Sequence, residues 1–208
     1  MKKNYVSNSE ESIQLFKNPL MNSLSKVHFT VPLIVFIPII SFFIYLAFKE
    51  GIGLVQFSGA FALGVAVWTI TEYGLHRFVF HFHPTSDFGK RIIFIFHGVH
   101  HDYPRDRLRL VMPPSASIPL AALFFLLFSL FISKPFLFGF FPGFLLGYLI
   151  YDMMHYAMHH FNYKGGWFKK IKQHHMLHHY QDPEKGFGVS SALWDTVLHT
   201  GFENEKSA

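Results

Sequence analysis

The sequence of 208 residues contains no cysteine and little charge. The lack of cysteine excludes disulfides, cysteine-ligated iron–sulfur clusters and zinc–thiolate sites. Charged residues make up 15% of the chain, well below the roughly 25% of an ordinary soluble domain. Half of the chain is hydrophobic and 19% of it is aromatic. This composition is typical of a membrane protein, and a net charge of +5 does not by itself indicate a nucleic-acid partner.

The apolar residues are concentrated in stretches without any charge: 29–48, 54–71, 115–133 and 136–151. Each stretch approaches or reaches the roughly 20 residues that a helix needs to cross the bilayer core. Four buried helices of a soluble protein would need more polar sequence than this chain has to cover them. We therefore expect an N-terminal arm at 1–28 and a membrane domain at 29–208, with spans at about 29–48, 54–75, 115–133 and 136–155.

The basic residues predict how the spans are oriented. The short links after the first and third stretches carry only Lys49 and Lys134, whereas the other sixteen of the 18 basic residues lie in the arm, the connection at 77–113 and the C-terminal tail. Because positive charge is enriched on the cytoplasmic side, we expect both termini and that connection to be cytoplasmic. The short arm favours a bacterial inner membrane over the endoplasmic reticulum.

The 15 histidines of the chain cluster next to these stretches. Twelve of them occur in "HRFVFH", "HGVHH", "HYAMHH" and "HHMLHH", all on the side that we expect to be cytoplasmic. Residues at positions i, i+3 and i+4 share one face of a helix, as in three of these motifs. His76 and His81 are five residues apart, about 140° from eclipsed on an α-helix, so we expect that helix to end or distort between them. Up to ten imidazoles can thus converge, enough for two metal ions.

Five histidines fall outside the shared faces and receive no metal-binding role: His28, His83, His160, His174 and His199. Two carboxylates at the ends of membrane stretches, Glu72 and Asp152, precede ligand candidates by one helical turn. A charge there is costly and usually paired. We expect each carboxylate to hydrogen-bond the outer nitrogen of a ligand imidazole, which fixes the orientation of the ring.

Ligand type alone leaves the metal open, because imidazole suits zinc, copper, iron and nickel. The location favours iron. A metal pair at the membrane surface can reach an acyl chain, and the activation of dioxygen to attack a C–H bond requires a redox metal. The four histidine motifs resemble the histidine boxes of the membrane fatty acid hydroxylase superfamily, and "GFGVSSALWD" at Gly186–Asp195 resembles the fatty acid 2-hydroxylase branch, which acts on sphingolipid acyl chains.

The resemblance implies an all-α fold: an integral membrane four-helix bundle with a cytosolic helical cap that holds a di-metal site. It implies a non-haem di-iron mono-oxygenase that hydroxylates C2 of a lipid-linked or free fatty acyl chain with O2. Iron is expected for activity, although a purified sample can contain zinc. Matching the boxes gives the ligand set His76, His81, His97, His100, His101, His155, His159, His175, His178 and His179.

The two electrons for this reaction must come from outside the sequence. It contains no haem-binding His-Pro-Gly-Gly of the cytochrome b5-like domain that many eukaryotic members carry. We therefore expect a ferredoxin, a cytochrome b5-like protein or a reductase as partner, a membrane lipid as substrate and no nucleic acid. The alternatives are a sterol or carotenoid hydroxylase or desaturase of the same superfamily, a zinc-binding transporter or metallo-hydrolase, and a non-catalytic lipid-binding relative.

Overall fold

The computed structural model describes residues 6–163 and 165–202, and every regular element in these ranges is helical. The α-helices are α1 (Pro19–Leu24), α2 (Val31–Lys49), α3 (Leu54–Gly74), α4 (Asp87–Ile93), α5 (Val99–Asp102), α6 (Pro114–Ser129), α7 (Lys134–His160), α8 (Gly166–Tyr180) and α9 (Leu193–Val197). Two π-helical turns lie among them, Leu75–Phe80 after α3 and Phe94–Gly98 between α4 and α5. The predicted all-α fold class is confirmed.

Three helical segments are long and apolar enough to cross a membrane: Val31–Lys49, Leu54–Phe80 and Lys134–His160. The apolar window of the third is 72% buried, whereas those of the first two are 17% and 11% buried. The large exposed apolar surface of the first two suits contact with lipid. Helix α6 is apolar but has only 16 residues, about 24 Å, which is shorter than the bilayer core. A fourth span, and with it the division into an arm and a membrane domain, stays a prediction.

The chain divides into two compact units. The first unit combines Met1–Leu15, Ile70–Leu110 and Met154–Ala208, and the second combines Phe16–Thr69 and Val111–Met153. The division falls within helices α3 and α7, so each helix contributes to both units. All of the candidate metal ligands belong to the first unit, whereas the second contains most of the apolar helical sequence.

The core of the second unit is largely aromatic. The Trp68 and Phe144 rings meet edge to face with centroids 5.2 Å apart. The Phe43 and Phe141 rings do so at 5.1 Å. Offset and edge-to-face pairs of this kind add to the stabilisation from buried area. The many phenylalanines of the sequence therefore pack helix against helix.

In the first unit, the N-terminal arm is fixed by arginines of the 77–113 connection. The Arg109 guanidinium donates hydrogen bonds to the Ser12 hydroxyl, at 3.2 Å, and to the Ile13 carbonyl, at 2.7 Å. It also pairs with Asp106 at 3.5 Å. The Arg91 guanidinium donates to the Leu15 carbonyl. Arg91 and Arg109 thus have structural partners.

Helices α3 and α7 approach each other closely within the second unit, through glycines. A methyl group on Gly64 would overlap the Phe140 carbonyl oxygen, and one on Gly143 would overlap the Phe61 carbonyl oxygen. Small residues permit this approach in membrane helices, where dispersion contacts stabilise the packing. Glycine at both positions therefore sets the distance between the two helices.

This packing predicts the effect of adding one methyl group. Gly143→Ala should destabilise the detergent-solubilised protein by about 1–3 kcal/mol because the helix backbones must separate. Gly59→Ala is the matched control, since nothing lies within 4 Å of a methyl group there and alanine favours the helix. Thermal unfolding measures both variants. Equal unfolding midpoints for the two would contradict the proposed close contact.

Candidate metal centre

The structure brings together all ten histidines that the sequence predicts as ligands, in two groups of five. Within each group, one ring nitrogen from every residue lies within 4.8 Å of those of the others. The first group is His76, His81, His97, His101 and His178. The second group is His100, His155, His159, His175 and His179.

A π-helical turn brings the His76 and His81 side chains together although the two residues are five positions apart. Helix α3 ends at Gly74, and the turn Leu75–Phe80 follows. The His81 amide donates to the His76 carbonyl at 3.1 Å, which is the i→i+5 hydrogen bond of a π-helix. The two imidazoles therefore belong to the same group, and the predicted distortion of the helix is confirmed.

The remaining candidate ligands come from α5 and its preceding π-turn, from the end of α7 and from α8. On α8, His175 and His179 are four residues apart and join the second group, whereas His178, between them in sequence, joins the first. His100 and His101 likewise divide between the groups. The α5 region and α8 thus each supply both groups from neighbouring positions, whereas the end of α7 supplies only the second group.

The distances between ring nitrogens fit a shared ion. His97 Nε2 lies 3.1 Å from the Nε2 atoms of both His76 and His81, and 2.9 Å from that of His101. A neutral imidazole nitrogen carries one proton or one acceptor lone pair, so hydrogen bonds alone do not satisfy three such neighbours. Two nitrogens at right angles around an ion, each about 2.0–2.1 Å away, would be about 2.9 Å apart.

The second group shows the same spacing. His175 Nε2 lies 2.9 Å from His159 Nε2 and 3.1 Å from His179 Nε2. The His100 ring is edge-on to the His155 and His159 rings, with centroids 4.4 Å and 4.5 Å away. The residues present therefore fit a metal ion in each group.

The imidazoles are held in the neutral form that binds metal. Burial, followed by the charge of neighbouring imidazoles, lowers the pKa of His97, His100 and His175 well below the ordinary value. The same causes lower the pKa of His81 to about 3. A neutral ring keeps a lone pair for a cation. At neutral pH, these groups therefore do not need to lose protons before they bind metal.

The segment Gly186–Ser190 and the residue before it orient two imidazoles of the first group through backbone carbonyls. The Phe187 carbonyl oxygen lies 2.5 Å from His76 Nδ1. The Lys185 carbonyl oxygen, just before the segment, lies 2.7 Å from His178 Nδ1. Accepting the Nδ1 proton leaves Nε2 as the ligand atom and sets the orientation of the ring.

Glu72 holds this segment from one side. Its Oε1 accepts hydrogen bonds from the Val189 and Ser190 amides at 2.8 Å and 2.7 Å, and its Oε2 accepts one from the Ser190 hydroxyl at 2.5 Å. These contacts give Glu72 a route to His76 through the backbone of the segment. The sequence predicts a direct hydrogen bond from Glu72 to an imidazole, and that role stays a prediction.

Asp152 accepts hydrogen bonds from the Tyr148 hydroxyl at 3.0 Å and from the Met112 amide at 3.4 Å. Its predicted action on His155 also stays a prediction. Outside the two groups, His83 pairs with Glu184 at 3.6 Å on the surface. His28 contacts the Thr30 hydroxyl at 2.8 Å.

The sequence predicts no role for His174 and contains Asp195 only as the last residue of the motif "GFGVSSALWD". His174 is 2% exposed, and its Nε2 lies 2.9 Å from Asp195 Oδ2. Asp195 is 1% exposed and accepts from the Phe187 and Gly188 amides at 2.9 Å and 2.7 Å. Burial raises the pKa of Asp195, but hydrogen bonds from His174, Thr200 and Gly188 outweigh burial and hold it below the ordinary value. The motif "GFGVSSALWD" was the signal that could have identified this pair.

The sequence and the fold both match known proteins. A family model described as fatty acid hydroxylase matches residues 61–200. The chain belongs to the fatty acid hydroxylase family. It is 34% identical over 195 residues to the dihydroceramide fatty acyl 2-hydroxylase FAH2 of Arabidopsis thaliana, covering 91% of this chain and 80% of that protein. Its identity to the fatty acid 2-hydroxylase of Rattus norvegicus is 35% over 210 residues, covering 90% and 56% of the two chains.

A solved structure of full-length scs7p, in which only the hydroxylase domain is visible, has a TM-score of 0.85 and 36% sequence identity to this family member. The match covers 90% of this chain and 71% of that one. With its apolar helices and these hydroxylase relatives, this fatty acid hydroxylase family member is a membrane protein and an enzyme.

The two groups predict how single ligand changes affect metal content. His178→Ala and His175→Ala each remove one nitrogen from a different group, so bound metal per chain should fall in both variants. His83→Ala should retain the metal of the unmodified protein, because this exposed histidine belongs to neither group. Metal analysis of the purified variants by mass spectrometry measures the outcome. Equal metal content in all three variants would contradict the assignment of the ligands.

Proposed function

We propose that this protein hydroxylates C2 of a fatty acyl chain with O2, using two metal ions that are iron in the active enzyme. The observation that carries the proposal is the pair of histidine groups, each with five convergent imidazoles. Identity of 34–36% to proteins named as fatty acid 2-hydroxylases and ceramide fatty acid hydroxylases supports the position C2.

The donor set supports redox chemistry over hydrolysis. Hydrolytic zinc sites usually have three protein ligands and an open water position, whereas each group here offers five imidazoles. When bound, iron would supply the reduction of dioxygen that attack on an unactivated C–H bond requires. The protein's own residues hold the ions and exclude bulk water, since most of the ligand imidazoles are buried.

The proposed reaction consumes one O2, two electrons and two protons for each C–H bond converted to C–OH, and it releases one water. The cysteine-free sequence does not provide ligands for a cysteine-bound cluster that could store the electrons. We propose that a ferredoxin, a cytochrome b5-like protein or a reductase delivers them.

The substrate is proposed to be a lipid-linked acyl chain. The Arabidopsis relative is named for a dihydroceramide, and SCS7 of Saccharomyces cerevisiae, 36% identical over 192 residues, is named for a ceramide with very long acyl chains. Membrane helices give such a chain access to the protein from the bilayer. We propose that the termini and the metal centre lie on the cytoplasmic side, following the distribution of basic residues. The choice between a bacterial inner membrane and the endoplasmic reticulum stays a prediction.

Lipid mass spectrometry of a host with and without the gene tests the reaction. We expect a gain of one oxygen on acyl chains, placed at C2 by fragmentation, and we expect this product to require O2. His100→Ala should abolish the product because a ligand of the second group is lost. His83→Ala should leave it unchanged.

The same experiment separates the alternatives. Oxygen added to a sterol or carotenoid would indicate the other branch of the superfamily. A metal-loaded protein that yields no oxidised lipid when O2 and a reducing system are supplied would contradict the assignment as a hydroxylase.

A further inference from the structure

The two groups differ in what fixes their imidazoles. In the first group, His76 Nδ1 and His178 Nδ1 lie 2.5 Å and 2.7 Å from backbone carbonyl oxygens. In the second group, the Nδ1 atoms of His175 and His179 are buried and have no hydrogen-bond partner among residues 6–163 and 165–202. The outer nitrogens of these two residues in each group therefore have different environments.

The carbonyls that orient the first group belong to one short stretch of backbone. Gly186 has a φ of +70°, a backbone conformation that residues other than glycine rarely adopt. A methyl group on Gly188 would overlap the Ser191 carbonyl oxygen and lie 2.9 Å from Asp195 Oδ2. Glycine at both positions lets the stretch fold tightly enough to meet the Asp195 carboxylate.

The Asp195 carboxylate accepts hydrogen bonds from four donors. Its two oxygens accept from the Phe187 and Gly188 amides, from the Thr200 hydroxyl at 2.7 Å and from His174 Nε2. Asparagine would replace one acceptor oxygen with an NH2 group that faces a donor. The Phe187 and Lys185 carbonyls would then move away from the imidazoles that they orient.

We propose that the two groups bind metal unequally, with the first group binding its ion more tightly, and that Asp195 is the positioning residue that causes the difference. The inference rests on the proposed function, in which each group holds one ion. An imidazole fixed through Nδ1 is more basic at Nε2 and does not have to be ordered when metal binds. Losing such a partner typically costs about 10–100-fold in metal affinity.

Competition with a chelator tests the inequality on the purified full chain, with Zn²⁺ as the probe. The unmodified protein should release zinc in two steps whose affinities differ by about tenfold or more. His175→Ala should remove the weaker step and His97→Ala the tighter one, because each variant lacks a ligand of one group. The reverse assignment, or two equal steps, would overturn the proposal even if Asp195 variants did not fold.

The Asp195→Asn variant tests whether Asp195 causes the difference in zinc affinity between the two groups. The tighter step should weaken about 10–100-fold while the weaker step stays unchanged. Asp87→Asn is the matched control, since this carboxylate is exposed and contacts Lys90, and it should alter neither step. General destabilisation of the protein would weaken both steps together and would overturn the specific role of Asp195.

Two double variants show which histidine group Asp195→Asn affects. Asp195→Asn combined with His97→Ala should resemble His97→Ala alone, whereas Asp195→Asn combined with His175→Ala should bind no zinc tightly. An additive loss in the first double variant would overturn the placement of the effect in the first group. If the unmodified protein binds no zinc at all, the proposed metal centre fails together with this inference; two equal binding steps overturn the inference and leave the proposed function standing.

Discussion

The metal centre depends on one constraint, the close approach of many imidazole nitrogens. These nitrogens do not have enough protons and lone pairs to satisfy one another by hydrogen bonds. His97 Nε2 alone has three other Nε2 atoms within 3.1 Å. Unsatisfied buried polar groups cost free energy, so an arrangement of this kind is expected only where a cation resolves it. The π-helical turn at Leu75–Phe80 and the division of α8 between two groups both serve this convergence.

Much of the site could be predicted from local sequence. The spacing of the histidines along each motif identifies the residues that share a face, and all ten of them meet in the structure. The odd spacing of His76 and His81 correctly predicts a distorted helix. The long apolar helices could be predicted from apolar runs, because hydropathy is local. The length of an apolar stretch does not fix where its helix ends, since α6 ends at Ser129 whereas the stretch continues to residue 133.

The supporting contacts could not be predicted, because they join distant parts of the chain. Glu72 contacts the amide of Ser190, 118 residues away, and His76 contacts the carbonyl of Phe187, 111 residues away. Position in sequence places Glu72 one turn from His76 and suggests direct contact. The structure shows an indirect connection, in which Glu72 binds backbone amides of the segment whose Phe187 carbonyl contacts His76. His174 shows the same limit, since its partner Asp195 lies 21 residues further along the chain, in the next helix.

These contacts also change what the C-terminal motif means. The segment Gly186–Asp195 resembles the 2-hydroxylase branch in sequence. Its contacts here join Asp195 to the Gly188 amide and to His174, and they place the Phe187 carbonyl against His76. In the proposed role, the motif orients metal ligands, and this role does not by itself distinguish an acyl chain from a sterol. Substrate choice must therefore depend on residues that contact the lipid. Where orientation of the ligands and recognition of the lipid rest on different residues, one histidine scaffold can serve enzymes that oxidise different lipids.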